Sequence, residues 1–201
     1  MGGHSAAARV ADPYIHIGGR GRLSLAADTD APLLVVFGGI DVGGVHSGVY
    51  MWNYMNALKS RYHIFVASSN QVNGLASYQA LMDKLDKQGV TPSEQILYLF
   101  SGGYKPGMDL LRFKPAATFS WIYLVDIWMG NSTIADFYKN LATCNSGKMT
   151  YVHTVFGANN DKARDFIAAK LGGNATLVKG QPREGGMQTH MRTNTTALIG
   201  L

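Results

Sequence analysis

The fold is decided by five apolar residues and the three small residues after them, Ile96-Leu97-Tyr98-Leu99-Phe100-Ser101-Gly102-Gly103. A short, unbroken apolar run of this kind is typical of a β-strand buried on both faces, as in a parallel sheet. Apolar residues resume at Met108, Leu110 and Leu111, so Ser101 lies between a predicted strand and a helix. Ligands of open α/β sheets bind at the carboxyl ends of the strands. Ser101 is therefore the first candidate site residue.

The same pattern recurs along the chain and predicts the whole architecture. Further apolar runs lie at Leu33 to Phe37, His63 to Ala67, Trp121 to Val125, Met149 to Phe156 and Ala175 to Val178. Amphipathic, helix-like stretches separate them, at Gly48 to Leu58, Leu75 to Gln88, Ser132 to Leu141 and Asp161 to Leu171. This alternation predicts an α/β protein, a three-layer α/β/α sandwich around a mostly parallel, doubly wound sheet.

The length indicates how the chain is divided. A chain of 201 residues can bury roughly 70 per cent of its unfolded surface in one core. We expect residues 31–201 to form a single α/β domain with no insertion long enough for a cap. Residues 1–30 form an N-terminal segment, in which Tyr14 to Leu25 alternates around glycines and predicts an antiparallel hairpin at one edge of the sheet.

Composition excludes several classes of protein. Hydrophobic residues make up 46% of the chain and the net charge is only +5, which excludes a mainly disordered state. The single cysteine, Cys144, excludes an internal disulfide. The apolar runs are far shorter than the ~20 residues of a membrane-spanning helix, so we expect no membrane insertion. The first residues lack the basic and apolar regions of a secretion signal, which predicts a cytoplasmic protein.

Charge and histidine spacing also limit the ligands. The 18 Lys and Arg residues are scattered rather than clustered, so we expect no nucleic-acid partner. The six histidines show neither H-x-x-x-H nor H-x-H spacing, so we expect no metal and no cofactor. His63 and His153 fall inside predicted strands and are expected in the core. His190 instead lies in a loop beyond the last predicted strand.

A glycine-rich loop, Gly38-Gly39-Ile40-Asp41-Val42-Gly43-Gly44, follows the first core strand. Glycines let backbone N–H groups face a ligand, which suits a phosphate or an oxyanion. The loop matches neither G-x-x-x-x-G-K-[ST] nor G-x-G-x-x-G, so it gives nucleotide binding no specific support. A plain flexible turn is the alternative interpretation.

Around Ser101 the chain resembles the α/β-hydrolase superfamily, whose nucleophile motif G-x-S-x-G aligns with Leu99-Phe100-Ser101-Gly102-Gly103. Gly103 supplies the second glycine of the motif. Leu99 replaces the first, where a bulky side chain would crowd the turn. The resemblance implies that Ser101 is the nucleophile. It also implies an oxyanion hole formed by the N–H of Gly102 and that of Gly39 or Ile40. Phe37 stands where the family's loop usually carries a histidine.

The superfamily places an acid and then a histidine after the nucleophile, and this chain has that order. The resemblance implies that His190 is the catalytic base. Two carboxylates stand where the acid would be. Asp126 directly follows the strand Trp121 to Val125, and Asp161 follows the strand Met149 to Phe156. Each has a structural alternative, since Asp161 can cap a helix and Asp126 can order a loop.

These features together predict a serine hydrolase with a Ser-His-Asp triad. Its substrate would be an ester, thioester or amide of a small or moderately sized acyl group. A different class remains open on the same residues. The glycine turns could serve a non-catalytic α/β domain that binds a sugar, a nucleotide or a protein partner, or one half of a transferase.

Overall fold

The computed structural model describes residues 14–17, 21–39, 47–68, 73–114, 118–127, 149–153 and 175–179, together with positions 141, 165, 169 and 201. Within these residues, eight strands form a single sheet. They are β1 Ile15–Ile17, β2 Gly21–Ser24, β3 Leu33–Phe37, β4 His63–Ala67, β5 Gln95–Phe100, β6 Trp121–Val125, β7 Met149–His153 and β8 Ala175–Lys179. Every core strand that the apolar runs predicted is present, and residues 154–156 of the run Met149 to Phe156 lie outside the described residues.

The strands follow the order β1-β2-β4-β3-β5-β6-β7-β8. The six strands from β4 to β8 in this order pair in parallel. Only β2 runs against the others, because it pairs antiparallel with both β1 and β4. Strands β1 and β2 thus form the predicted antiparallel pair at one edge, and the turn between them lies outside the described residues. Strand β5, which ends directly before Ser101, lies in the middle of the sheet between β3 and β6.

Three helices are described in full, and they cover both faces of the sheet. They are α1 Ser47–Met55, α2 Gly74–Lys87 and α3 Tyr104–Phe113. A 3-10 turn, Asn56–Leu58, extends α1. Asn73 precedes α2, and its side chain accepts a hydrogen bond from the Ala76 N–H and so caps the first turn. Of the predicted helices Ser132 to Leu141 and Asp161 to Leu171, only positions 141, 165 and 169 are described, and all three are helical.

The core divides into two layers because side chains alternate along each strand. Leu97 and Leu99 of β5 face the layer that contains Leu81 of α2 and Leu110 of α3. Tyr98 and Phe100 face the opposite layer, which contains Met51, Trp52 and Met55 of α1. Strands buried on both faces explain why their sequences are continuous apolar runs. The predicted three-layer α/β/α sandwich is confirmed, and within the described residues every helix and strand belongs to it, with no separate cap domain.

A buried histidine stabilises the sheet at the amino-terminal ends of its strands. His63, the first residue of β4, is fully buried. The Ala26 N–H donates to its Nδ1 at 3.1 Å, so Nδ1 is unprotonated and the ring proton is on Nε2, which lies 3.3 Å from the Thr29 carbonyl oxygen. His63 therefore braces the connection between β2 and β3, and its expected core position is confirmed. The side chain of His153 lies outside the described residues.

Candidate active site

Ser101 stands on a sharp turn at the carboxyl end of the central strand. Strand β5 ends at Phe100, a 3-10 turn follows over Ser101–Gly103, and α3 begins at Tyr104. The backbone φ of Ser101 is 52°, in the left-handed region that non-glycine residues rarely adopt. Such strain persists only where the surroundings hold it, and it is concentrated at functional sites. The turn leaves Ser101 partly exposed above a buried strand.

The glycine at the end of the motif is required by a close approach of two backbones. A Cβ on Gly103 would lie 2.1 Å from the Phe37 carbonyl oxygen and 3.0 Å from that of Gly38. No side chain fits in that space. The absence of a side chain at Gly103 therefore lets the turn after β5 lie directly against the end of β3, where the glycine-rich loop begins.

The leucine that replaces the first glycine of the motif fits because a different glycine makes room for it. Leu99 points into the layer that contains α3 and is fully buried. A Cβ on Gly107, one turn into α3, would lie 2.6 Å from Leu99 Cδ1 and 2.8 Å from Cδ2. The expected crowding is thus absent, because the space that Leu99 occupies is left free by Gly107. Sequence reasoning missed this exchange, and Gly107 inside the amphipathic helix was its only signal.

The glycine-rich loop meets Ser101 at Gly39. A Cβ on Gly39 would lie 3.1 Å from Ser101 Cβ and 3.4 Å from the Phe100 ring. The preceding Gly38 N–H donates to the Ala67 carbonyl oxygen at 2.8 Å and so continues the pairing of β3 with β4. The Gly38 N–H is therefore used in the sheet. The next N–H along the chain is that of Gly39, which lies beside Ser101. Ile40 lies outside the described residues.

A tyrosine completes this side of the site. Tyr50 of α1 places its hydroxyl 2.9 Å from the position a Gly39 Cβ would take. Its ring meets Phe100 edge to face, with centroids 6.4 Å apart. No sequence pattern linked Tyr50 to Gly39. The side chain of Phe37, which stands in place of a histidine, is fully buried against Phe65 in the layer opposite to Tyr50.

Asp126 follows the neighbouring strand β6 at the position that corresponds to Ser101. Phe100, the last residue of β5, pairs with Val125, the last residue of β6, so Ser101 and Asp126 are the first residues beyond the two strands. Asp126 is only 3% exposed, and its φ is 44°. Its N–H donates to the Val152 carbonyl oxygen of β7 at 2.7 Å. A buried carboxylate is retained only where it is hydrogen-bonded or paired, which makes this position a candidate for the acid of a triad. His190 and Asp161 lie outside the described residues.

Aromatic residues back the site on the α1 face. Tyr98 of β5 stacks on Tyr123 of β6, with centroids 6.0 Å apart. Burial raises the pKa of Tyr98 well above the usual value for a phenol. Burial, and then the nearby Tyr62, raise the pKa of Tyr123 to about 12. Both hydroxyls are protonated at neutral pH, so neither can act as a general base there.

Two further observations concern ligands and membranes. Within the part of the chain that the structure describes, no three His, Cys, Asp or Glu side chains are grouped as metal ligands. None of the described helices combines the length and the hydrophobicity needed to cross a bilayer.

Comparison with known proteins gives structural likenesses only. No protein-family model matches the chain, and no curated protein matches its sequence. Among solved structures, Est1E from Butyrivibrio proteoclasticus is 12% identical over 93% of this chain and 97% of its own, with a TM-score of 0.58. A cold-adapted esterase from an Arctic intertidal metagenomic library is 13% identical over 92% of this chain and 90% of its own, with a TM-score of 0.60.

A third likeness is the esterase domain of a Rhodothermus marinus protein, 11% identical over 90% of this chain and 91% of its own, with a TM-score of 0.56. These structures belong to the α/β-hydrolase superfamily, and each is matched over nearly its whole length. With the parallel sheet and the strained serine at the end of its central strand, these likenesses show that the chain has the α/β-hydrolase fold.

Proposed function

We propose that the protein is a serine hydrolase that cleaves a carboxylic ester of a small or moderately sized acyl group. The observation that carries this proposal is the backbone of Ser101, held at a φ of 52° at the end of the central strand and directly against Gly39. A strained serine beside a glycine backbone is the arrangement that nucleophilic attack and oxyanion stabilisation require. Two of the solved structures with this fold are esterases, which supports the same reaction class.

The reaction follows from the roles of these groups. Ser101 Oγ attacks the acyl carbon while His190 takes its proton, and the negative charge forms on the acyl oxygen. The N–H of Gly102 and that of Gly39 or Ile40 stabilise this oxyanion. His190 then protonates the leaving alcohol as its bond to the acyl carbon breaks. A water molecule, deprotonated by His190, attacks the acyl-enzyme, and Ser101 recovers its proton as the carboxylic acid departs.

The acid that orients His190 is one of two carboxylates. Asp126 is supported by its burial and by its position beside Ser101. Asp161 is supported by the family resemblance. The two are separated by matched variants, since loss of the acid leaves the wrong histidine tautomer and lowers kcat by about 10⁴-fold. Only one of Asp126→Asn and Asp161→Asn should show this loss, while the other stays within several-fold.

A fluorophosphonate probe tests the nucleophile directly. It should label the folded protein once, at Ser101, as read by mass spectrometry of the labelled peptide. Ser101→Ala and His190→Ala should abolish labelling. Ser68→Ala is the matched control, because Ser68 also follows a core strand but is fully buried, and labelling should persist in it.

The absence of labelling in well-folded protein would contradict the hydrolase proposal. It would leave the non-catalytic binding domain, for which a sugar nucleotide or another ligand should raise the melting temperature. For an active enzyme, p-nitrophenyl esters of increasing chain length would then define the acyl group.

A further inference from the structure

The Tyr50 hydroxyl is a polar group beside the serine to which the proposed reaction has given no role. A Cβ on Gly39 would lie 2.9 Å from this hydroxyl and 3.1 Å from Ser101 Cβ. The Tyr50 hydroxyl oxygen and Ser101 Cβ are therefore at most 6.0 Å apart. An acyl oxygen lies about 3 Å from the nucleophile and from each of its donors, so it fits between the Tyr50 hydroxyl and Ser101.

The Tyr50 ring is positioned by its contact with Phe100 and by the anchoring of its helix to the sheet. Its edge-to-face contact with Phe100, at an interplanar angle of 86°, fixes it against the strand that carries Ser101. Helix α1 is anchored to the sheet by its neighbours Met51, Trp52 and Met55, which are all at most 4% exposed. A donor that is positioned before the reaction costs no reorganisation when charge develops on the substrate.

We propose that the Tyr50 hydroxyl is a third donor of the oxyanion hole and hydrogen-bonds to the acyl oxygen as the tetrahedral intermediate forms. This inference rests on the proposed serine hydrolase function. A hydroxyl both donates and accepts, so a hydrogen bond that Tyr50 makes in the free protein is compatible with this role. Tyr50 would be the only side chain among the donors, since the others are backbone N–H groups.

The rival explanation is that Tyr50 only supports Gly39 through contact. Tyr50→Phe distinguishes the two explanations, because it removes the hydroxyl but keeps the ring and its contact with Phe100. A supporting contact would survive this substitution, whereas a hydrogen-bond donor would be lost. A donor to the oxyanion acts on the transition state and not on the bound ester. Loss of one such donor lowers kcat on the order of 100-fold, with KM little changed.

The experiment compares Tyr50→Phe with Tyr54→Phe, which removes the same atom one helical turn further along α1. We expect Tyr50→Phe to lose on the order of 100-fold in kcat for p-nitrophenyl acetate, and Tyr54→Phe to stay within about three-fold. Phenylboronic acid, which forms a tetrahedral anion on the serine, should bind Tyr50→Phe more weakly by a similar factor.

The outcomes separate this inference from the proposed function. If Tyr50→Phe keeps kcat and boronate affinity within about three-fold of the parent and Ser101 is still labelled, the role of Tyr50 is overturned and the hydrolase function is not. An unlabelled parent protein overturns the hydrolase function itself. If Tyr50→Phe does not fold, a crystal structure of the parent with phenylboronic acid decides, since the Tyr50 hydroxyl either lies within hydrogen-bond distance of a boronate oxygen or does not.

Discussion

Ser101 and Asp126 follow adjacent strands at equivalent positions, each one residue beyond the pair Phe100 and Val125. They are also the two non-glycine residues with positive φ in the described part of the chain, at 52° and 44°. Strained backbone is costly, and two such residues side by side at one edge indicate that the edge is shaped for a purpose other than stability. This relationship marks the site more sharply than either residue does alone.

Substitution of Ser101 should reveal the strain directly. A non-glycine residue in the left-handed region costs roughly 1–2 kcal/mol, and glycine does not pay this cost but loses about 0.5–1 kcal/mol of backbone entropy on folding. Both Ser101→Gly and Ser101→Ala should be inactive. In urea unfolding, the glycine variant should be the more stable of the two by up to about 1 kcal/mol.

Ser120 provides the control for this comparison, because its backbone φ is not positive. There glycine should be less stable than alanine. If Ser101→Gly were also less stable than Ser101→Ala, the left-handed strain at the turn would be disproved.

Because Leu99 fills the space that Gly107 leaves free, substitutions at the two positions should have non-additive effects on the free energy of unfolding. Gly107→Ala should overpack the core and cost about 1–3 kcal/mol, while Leu99→Ala should leave a cavity and cost about 2–5 kcal/mol. In the double variant the new methyl group enters the cavity, so the total should fall short of the sum by about 0.5–3 kcal/mol.

Leu23→Ala serves as the reference for this cycle. Leu23 is fully buried in the same layer but lies on β2, which β4 and β3 separate from β5, so its combination with Gly107→Ala should be additive. An additive Leu99 and Gly107 pair, measured by urea unfolding, would show that Gly107 is not what accommodates the leucine.

A side chain at Gly103 and one at Gly89 should destabilise the protein for different reasons. Gly103 has an ordinary helical φ of −59°, but a Cβ there would meet the Phe37 backbone. Gly89 has a φ of 65° and open space around it. Gly89→Ala should therefore cost only about 1–2 kcal/mol through its conformation.

Gly103→Ala should cost considerably more, since backbone cannot yield as a side chain does, and should abolish Ser101 labelling in whatever protein folds. Thermal unfolding and probe labelling measure the two effects. Equal stability of the two variants would contradict the close approach of the turn to β3.

Stability should fall at alkaline pH because of the buried phenols. The pKa of Tyr123 is raised from 10.0 to about 12, and burial also raises that of fully buried Tyr98. A raised pKa means that the native state favours the neutral phenol. The resulting stability is fully present below pH 10 and is lost as pH rises through the folded-state pKa.

Urea unfolding between pH 9 and 12 measures this loss. Tyr98→Phe and Tyr123→Phe should each make stability decline less steeply above pH 10. A decline of unchanged slope in both variants would place the alkaline transition elsewhere in the protein.

Much of the architecture could be predicted from the sequence, because it depends on short-range properties of the chain. A run such as Leu33 to Phe37 is apolar at every position, and only a strand covered on both faces buries all of it. The turn at Ser101 was predictable for a similar reason, since glycines mark the places where a strand changes direction. These features depend on neighbouring residues, which a sequence displays in order.

The contacts within the site were decided by tertiary structure. Nothing local links Gly39, Tyr50 and Ser101, which meet only because β3 and β5 are adjacent and α1 packs over their ends. Leu99 looked incompatible with a tight turn until α3 placed Gly107 against it. Local pattern determined which segments form strands and where the chain turns. The side chains that face one another depend on the packing of segments far apart in the chain, so only the folded structure could reveal them.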